Sequence, residues 1–216
     1  QFDVSKFIEK EDELINSTGD IDQKKALYTD RPIKHEYLQE LNQKSFGKDP
    51  EIITVGEMSS TSIESSIGYT HPDNDELTMV FSFHHLKVDY PNKEKWASAP
   101  FDFLELKKIM HDWQVGLGEN GGWNALFWNN HDQPRTITRF GDDEKYREKT
   151  ATSQAHILHF MQGTPYVYMG EEIGMTDPHF TRLDQYRDIE SHNAYHELTA
   201  KGKTPEEALQ IIAEKS

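Results

Sequence analysis

The sequence predicts an α/β fold of parallel βα units that amounts to half of an eight-stranded barrel. Three observations carry this prediction. Short apolar runs of strand length alternate with amphipathic helical patterns. The chain has 216 residues, one domain's worth and enough to bury a sizeable core. Acidic residues stand just beyond the strand runs, where an α/β barrel keeps its chemistry.

In chain order, Phe2 and Val4 read as the end of a strand that began upstream. Asp30-Arg31-Pro32 opens a helix whose Ile33, Tyr37 and Leu41 recur every fourth residue along one face, with Gly47 as its stop. Residues 51–55 form the next strand, 69–76 read as a linker, and 77–83 form another strand. Asp102-Phe103-Leu104-Glu105 is a capping-box start for a helix with Leu106, Ile109, Met110 and Trp113 facing inward, ended by the glycine-rich stretch 116–122. A strand at 125–128 and a helix over roughly 149–161 follow. Gly163-Thr164-Pro165 then turns into a short strand at 166–168. Thr204-Pro205-Glu206-Glu207 caps a last helix.

Apolar residues make up 35% and charged residues 28%, the balance of an ordinary soluble globular chain with no apolar run of membrane-spanning length. A net charge of −15 argues against nucleic acid and against an anionic membrane, because both require cations to outnumber acids over a broad face. The absence of cysteine excludes disulfides and thiolate metal sites and fits a reducing, cytoplasmic compartment. Gln1-Phe2-Asp3-Val4 carries neither a starting Met nor an export signal, so the chain is expected to be a fragment. Half a barrel leaves two strand edges open, and such a piece is expected to be poorly stable and inactive alone.

Asp3, Glu57 and Asp132 each follow a strand pattern, although 54 and 75 residues separate them. Paired carboxyl groups at such positions suit glycoside hydrolysis, with one group as nucleophile and a second as acid and base. Crowding favours keeping one of them protonated, and Glu57, with the longer reach, is assigned as the acid. Gly56-Glu57 also fits a turn with an exposed acid, and His131-Asp132 also fits a metal pair, though no third ligand stands at helical spacing. His84 and His85, if on a strand, point to opposite faces and do not chelate together. No metal and no cofactor is expected.

Thr54-Val55-Gly56-Glu57-Met58 and Asn130-His131-Asp132-Gln133-Pro134-Arg135 resemble the third and fourth signature regions of the α-amylase superfamily of glycoside hydrolases. Phe2-Asp3-Val4 resembles the second. The resemblance implies the second half of a (β/α)8 TIM barrel, from the end of strand four to strand eight. It implies Asp3 as nucleophile, Glu57 as acid and base, Asp132 as transition-state stabiliser and His131 as a ligand of sugar hydroxyls. The superfamily usually carries Arg two residues before the nucleophile, where Gln1 stands here. Glu171-Glu172 form a conspicuous acidic pair, read as structural acceptors.

The stretch 163–177 is similar to the subgroup containing oligo-1,6-glucosidases and phosphotrehalases. Residues 58–62 and 83–96 are similar to segments of the trehalose-6-phosphate hydrolase family. By that likeness Lys87 and Lys95 bind the phosphate of a small disaccharide phosphate, as point charges for a dianion. From charge alone a solvated loop is the simpler reading, since Asp89 and Glu94 offset two of the three lysines there. The implied activity is retaining hydrolysis of trehalose 6-phosphate to glucose and glucose 6-phosphate. Two competitors stand beside it: an oligo-1,6-glucosidase or dextran glucosidase acting on neutral α-glucosides, and a non-catalytic barrel homologue.

Overall fold

The computed structural model describes residues 2–3 and 21–216, so the expectations for Gln1 and Val4 lie outside the described residues. Among the described residues five strands form one sheet in sequential order, β1 (Phe2–Asp3), β2 (Val55–Met58), β3 (Met79–Ser82), β4 (Asn124–Phe127) and β5 (Thr164–Tyr166), and the first three neighbouring pairs are parallel. Between and after them run α1 (Ile21–Ala26), α2 (Ile33–Lys44), α3 (Ile63–Thr70), α4 (Phe103–Glu119), α5 (Thr136–Phe140), α6 (Arg147–Phe160), α7 (Ile189–Ala200) and α8 (Pro205–Lys215). Neighbours in the sheet that are also neighbours in sequence, joined by helices, form the staves of a (β/α)8 barrel.

The chain forms two compact units, one of residues 1–85, 106–126 and 161–165, the other of 86–105, 127–160 and 166–216. In the first unit, Met58 of β2 packs with Leu38 of α2, Tyr69 of α3, Leu77 and Val80. Thr54 and Thr78 fix the start of the β2–β3 pairing by exchange, each backbone N–H donating to the other's hydroxyl at 3.0 and 2.9 Å.

Helix α2 forms where expected but turns a different face inward. Tyr37 is 49% exposed, and Leu38 with Lys34 is buried instead. The neighbouring stripe is polar and has a buried acid to meet: His35 Nδ1 lies 2.9 Å from both oxygens of Glu76, Gln39 donates to the same carboxylate, and the His35 ring stacks on Tyr69. Glu76 raises the basicity of His35 through this hydrogen bond, against the opposing effect of burial. The stretch 69–76 is therefore not a linker, because it supplies a fully buried Tyr69 and a buried Glu76.

Helix α4 starts as expected, with Asp102 accepting from the N–H groups of Leu104 and Glu105 at 2.9 and 3.0 Å. It runs on through Gly116 and Gly118, which serve packing, and ends at Glu119 inside the expected glycine-rich stretch, where Gly121 has φ +74° and Gly122 N donates to the Leu117 carbonyl at 2.9 Å. A Cβ on Gly116 would lie 2.5 Å from Ile63, and one on Gly118 would lie 2.6 Å from Gln162.

The second unit is built on the α7–α8 pair. Ala194, Leu198, Ala208, Ile211 and Ile212 form its core with Tyr186, and Trp96 packs against it. The last helix has the expected reciprocal cap: Thr204 accepts from Glu207 N, and the Glu207 side chain accepts from Thr204 N. Among the described residues no helix is long and apolar enough to cross a membrane.

Candidate active site

The parallel register fixes where Asp3 and Glu57 stand along their strands. Asp3 pairs with Glu57 across β1–β2, Glu57 with Phe81 across β2–β3, and Phe81 with Ala125 across β3–β4. On β2 the buried positions are Gly56 and Met58, and Met58 packs toward the helices. Side chains alternate along a strand, so Glu57 projects from the opposite face, in the row that holds Phe81 and the small Ala125. Glu57 lies inside β2, two residues beyond the expected strand end; Ile52 and Ile53, which suggested an earlier strand, are 46% and 69% exposed.

Asp132 sits in the second unit, on the turn after β4. It is exposed, with its N–H donating to Asn130 Oδ1 at 3.0 Å and its carboxylate 3.4 Å from His131 Nε2. The turn around it is anchored by buried polar groups. Asn129 Oδ1 accepts from the N–H and hydroxyl of Thr136 at 2.7 and 3.1 Å, and Asn129 Nδ2 donates to Glu171 at 2.7 Å. Arg135 N donates to Asp177 at 2.8 Å, and the Arg135 guanidinium lies over the Tyr168 ring. Burial pushes the Asp177 carboxyl up to about 6, against the lowering effect of that backbone N–H. Glu171 is also raised by burial. Glu171 and Glu172 act as acceptors for this loop, from Tyr168 N and Gly170 N.

Lys87 ends a 3-10 turn, Pro-free and spanning His84–Lys87, and is half-buried. His84 and His85 thus belong to a helical turn rather than to a strand, and the His84 ring packs 5.0 Å from that of Trp113. Lys95 pairs with Glu190 at 2.8 Å and lies over Trp96. It lines a cavity of about 860 Å3 with Trp96, Lys201 and Lys203, the last two from the α7–α8 turn. Asp89 does not offset the loop lysines, because Arg139 and Lys215 hold it. Among the described residues no cluster of three His, Cys, Asp or Glu side chains is placed to hold a metal ion.

The sequence alone assigns no role to Arg139, Gln133, Asn129 or Asp177. Their hydrogen-bond partners lie 6 to 53 residues away, for example Gln133 and Leu86 for Arg139. The signal in the sequence was the density of hydrogen-bonding side chains between 129 and 139.

A sequential sheet whose neighbouring strands pair in parallel and are joined by helices is the architecture of the (β/α)8 barrel class. The chain belongs to the α-amylase catalytic-domain family, whose model matches residues 1–215. It is 54% identical over 217 residues to trehalose-6-phosphate hydrolase of Bacillus subtilis strain 168, covering 100% of this chain and 38% of that protein. It is 44% identical over 217 residues to oligo-1,6-glucosidase of Parageobacillus thermoglucosidasius, covering 98% of this chain and 38% of that protein. The crystal structure of trehalose-6-phosphate hydrolase from Bacillus licheniformis superposes with a TM-score of 0.85 at 54% identity, over 93% of this chain and 36% of that one. The chain thus spans somewhat over a third of the length of these relatives.

Proposed function

We propose that this chain is part of a retaining glycoside hydrolase that splits trehalose 6-phosphate into glucose and glucose 6-phosphate. The observation that carries the chemistry is the register of Asp3 beside Glu57 on adjacent parallel strands. Neighbouring strands lie about 4.8 Å apart, which suits the roughly 5 to 5.5 Å between the two carboxyl groups of a retaining pair. In this reading Asp3 attacks the anomeric carbon while Glu57 protonates the departing glycosidic oxygen. Glu57 then takes a proton from water, which releases glucose from Asp3 with overall retention. Asp132 stabilises the positive charge that develops on the sugar ring, and His131 holds a hydroxyl.

The phosphate is the proposed ligand of Lys87 and Lys95. Higher identity to trehalose-6-phosphate hydrolase than to oligo-1,6-glucosidase supports the phosphorylated substrate over a neutral one. The same reading makes the substrate a small sugar phosphate rather than nucleic acid or lipid, and sets the enzyme in the cytoplasm, where such a charged disaccharide is retained.

The test is hydrolysis of trehalose 6-phosphate and plain trehalose by the full-length protein and by its Lys87→Ala and Lys95→Ala variants. Strong preference for the phosphorylated sugar, lost in both variants, is expected. Equal turnover of the two sugars would remove the phosphate assignment and favour a glucosidase of neutral substrates.

A further inference from the structure

Arg139 ties together two segments that the proposed reading uses for different tasks. Its side chain is 2% exposed. Nε donates to Asp89 Oδ2 at 2.9 Å, Nη2 donates to Asp89 Oδ1 and to the Leu86 carbonyl, and Nη1 donates to Gln133 Oε1 at 3.0 Å. Leu86 immediately precedes Lys87, and Gln133 immediately follows Asp132. Asp132 itself is exposed, and its contacts with Asn130 and His131 stay within its own turn. A rigid tether beside it runs instead through Gln133, whose amide oxygen also accepts from the Tyr90 hydroxyl at 3.4 Å.

The anchor is itself fixed at both ends. Helix α5, which carries Arg139, is held at its start by the bonds of Thr136 to Asn129 and Gln154. Asp89 is held from its other side by Lys215, whose ammonium donates to the carboxylate and to the Asp89 carbonyl at 2.8 Å each. A planar guanidinium can serve a carboxylate, a carbonyl and an amide oxygen at fixed angles at once, which a lysine ammonium at that place cannot reproduce.

We propose that Arg139 is a positioning residue that locks the segment carrying Lys87 to the segment carrying Asp132, so that phosphate recognition and transition-state stabilisation are set in one register. The inference rests on the proposed function and deepens it. It assigns the clamp two separable effects, one on the chemical step through Gln133 and one on phosphate recognition through Leu86 and Asp89.

The experiment compares full-length wild type, Gln133→Ala and Arg139→Lys on trehalose 6-phosphate and on a neutral chromogenic α-glucoside, with thermal melts alongside. Gln133→Ala leaves the Asp89 pairs intact. It is expected to lower kcat roughly tenfold or more on both substrates with little change in KM and an almost unchanged melt, because a small displacement of a reacting group is costly. Arg139→Lys is expected to show the same kcat loss and, in addition, a higher KM confined to the phosphorylated substrate. If Arg139→Lys does not fold, Gln133→Ala decides alone. Wild-type kcat in a folded Gln133→Ala variant would overturn the inference, as would an Arg139→Lys defect of equal size in KM for both substrates. A wild type that does not distinguish the two substrates would strike the substrate reading, while the kcat of Gln133→Ala would still decide whether Asp132 is positioned in this way.

Discussion

Replacing Asp89 by Asn tests the buried charge network of the second unit at its centre. The Asp89 side chain is 6% exposed, and its two cations, Arg139 and Lys215, are 2% and 1% exposed. Burial pushes the Asp89 carboxyl up, but the hydrogen bonds and charges of Arg139 and then Lys215 outweigh it and hold the group below its ordinary value. Asn at this position keeps one acceptor oxygen and the shape, yet leaves two buried cations facing a neutral amide. Removing one partner of a buried ion pair costs about 3 to 5 kcal/mol, because the charge left behind has lost its water and gained no substitute.

The pH dependence has a definite sign. A carboxyl depressed in the folded state contributes stability that is present above its unfolded value of 3.8 and is lost as pH falls through the lower folded value. The gap between wild type and Asp89→Asn is therefore expected to stay constant from neutral pH down to about 5 and to close below 4. Urea unfolding of the full-length protein at a series of pH values gives the gap, and hydrogen exchange at the amides of α5 and α8 localises it. Adding Lys215→Met to Asp89→Asn should restore part of the loss by removing one stranded charge. A loss below about 1 kcal/mol, or no recovery in the double variant, would show that the cations reach water and that the network is not closed.

Two other outcomes follow from the same electrostatics. Asp177, raised to about 6 from 3.8 chiefly by burial, contributes stability that is full below pH 4 and lost as pH rises through 6. Asp177→Asn keeps the acceptor for Arg135 N and should be more stable than wild type at pH 8, by at most about 3 kcal/mol, and equal to it near pH 4, as read from thermal melts. Glu190 competes with any anion for Lys95, so Glu190→Gln should lower KM for trehalose 6-phosphate and leave a neutral α-glucoside unaffected; steady-state kinetics on the two substrates checks this.

The sheet was largely legible in the sequence, because short apolar runs bounded by turn residues are a local signal. Its fine placement was not. The run Ile52-Ile53 suggested a strand ending at Val55, whereas the pairing begins there and carries Glu57 inside the strand. Helices α3 and α7 are hard to read from apolar periodicity because their buried faces include small or polar residues, Ser66 and Thr70 on one and Ser191 and Ala194 on the other, although each has a capping side chain, Ser62 accepting from Ser65 N and Asp188 from Ser191 N. The inward face of α2 is not legible in the sequence, because the partner that meets it is a buried acid, Glu76, and no periodicity of apolar residues reports on that. The candidate carboxylates stood out as acids beyond strand patterns, but their register is a property of pairing between distant segments. The Asp89–Arg139–Lys215 set, spanning 126 residues from Asp89 to Lys215, is visible only when the chain is folded.

The central claim is that Asp3 and Glu57, set side by side by the β1–β2 register, work as a retaining pair. The anomeric form of the glucose first released from trehalose 6-phosphate by the full-length protein, followed by proton NMR before mutarotation, tests it most directly. Initial α-glucose is the expected result, since two displacements at one carbon restore the starting configuration. Initial β-glucose would mean a single displacement by water, and the two carboxylates could not then have the roles given to them.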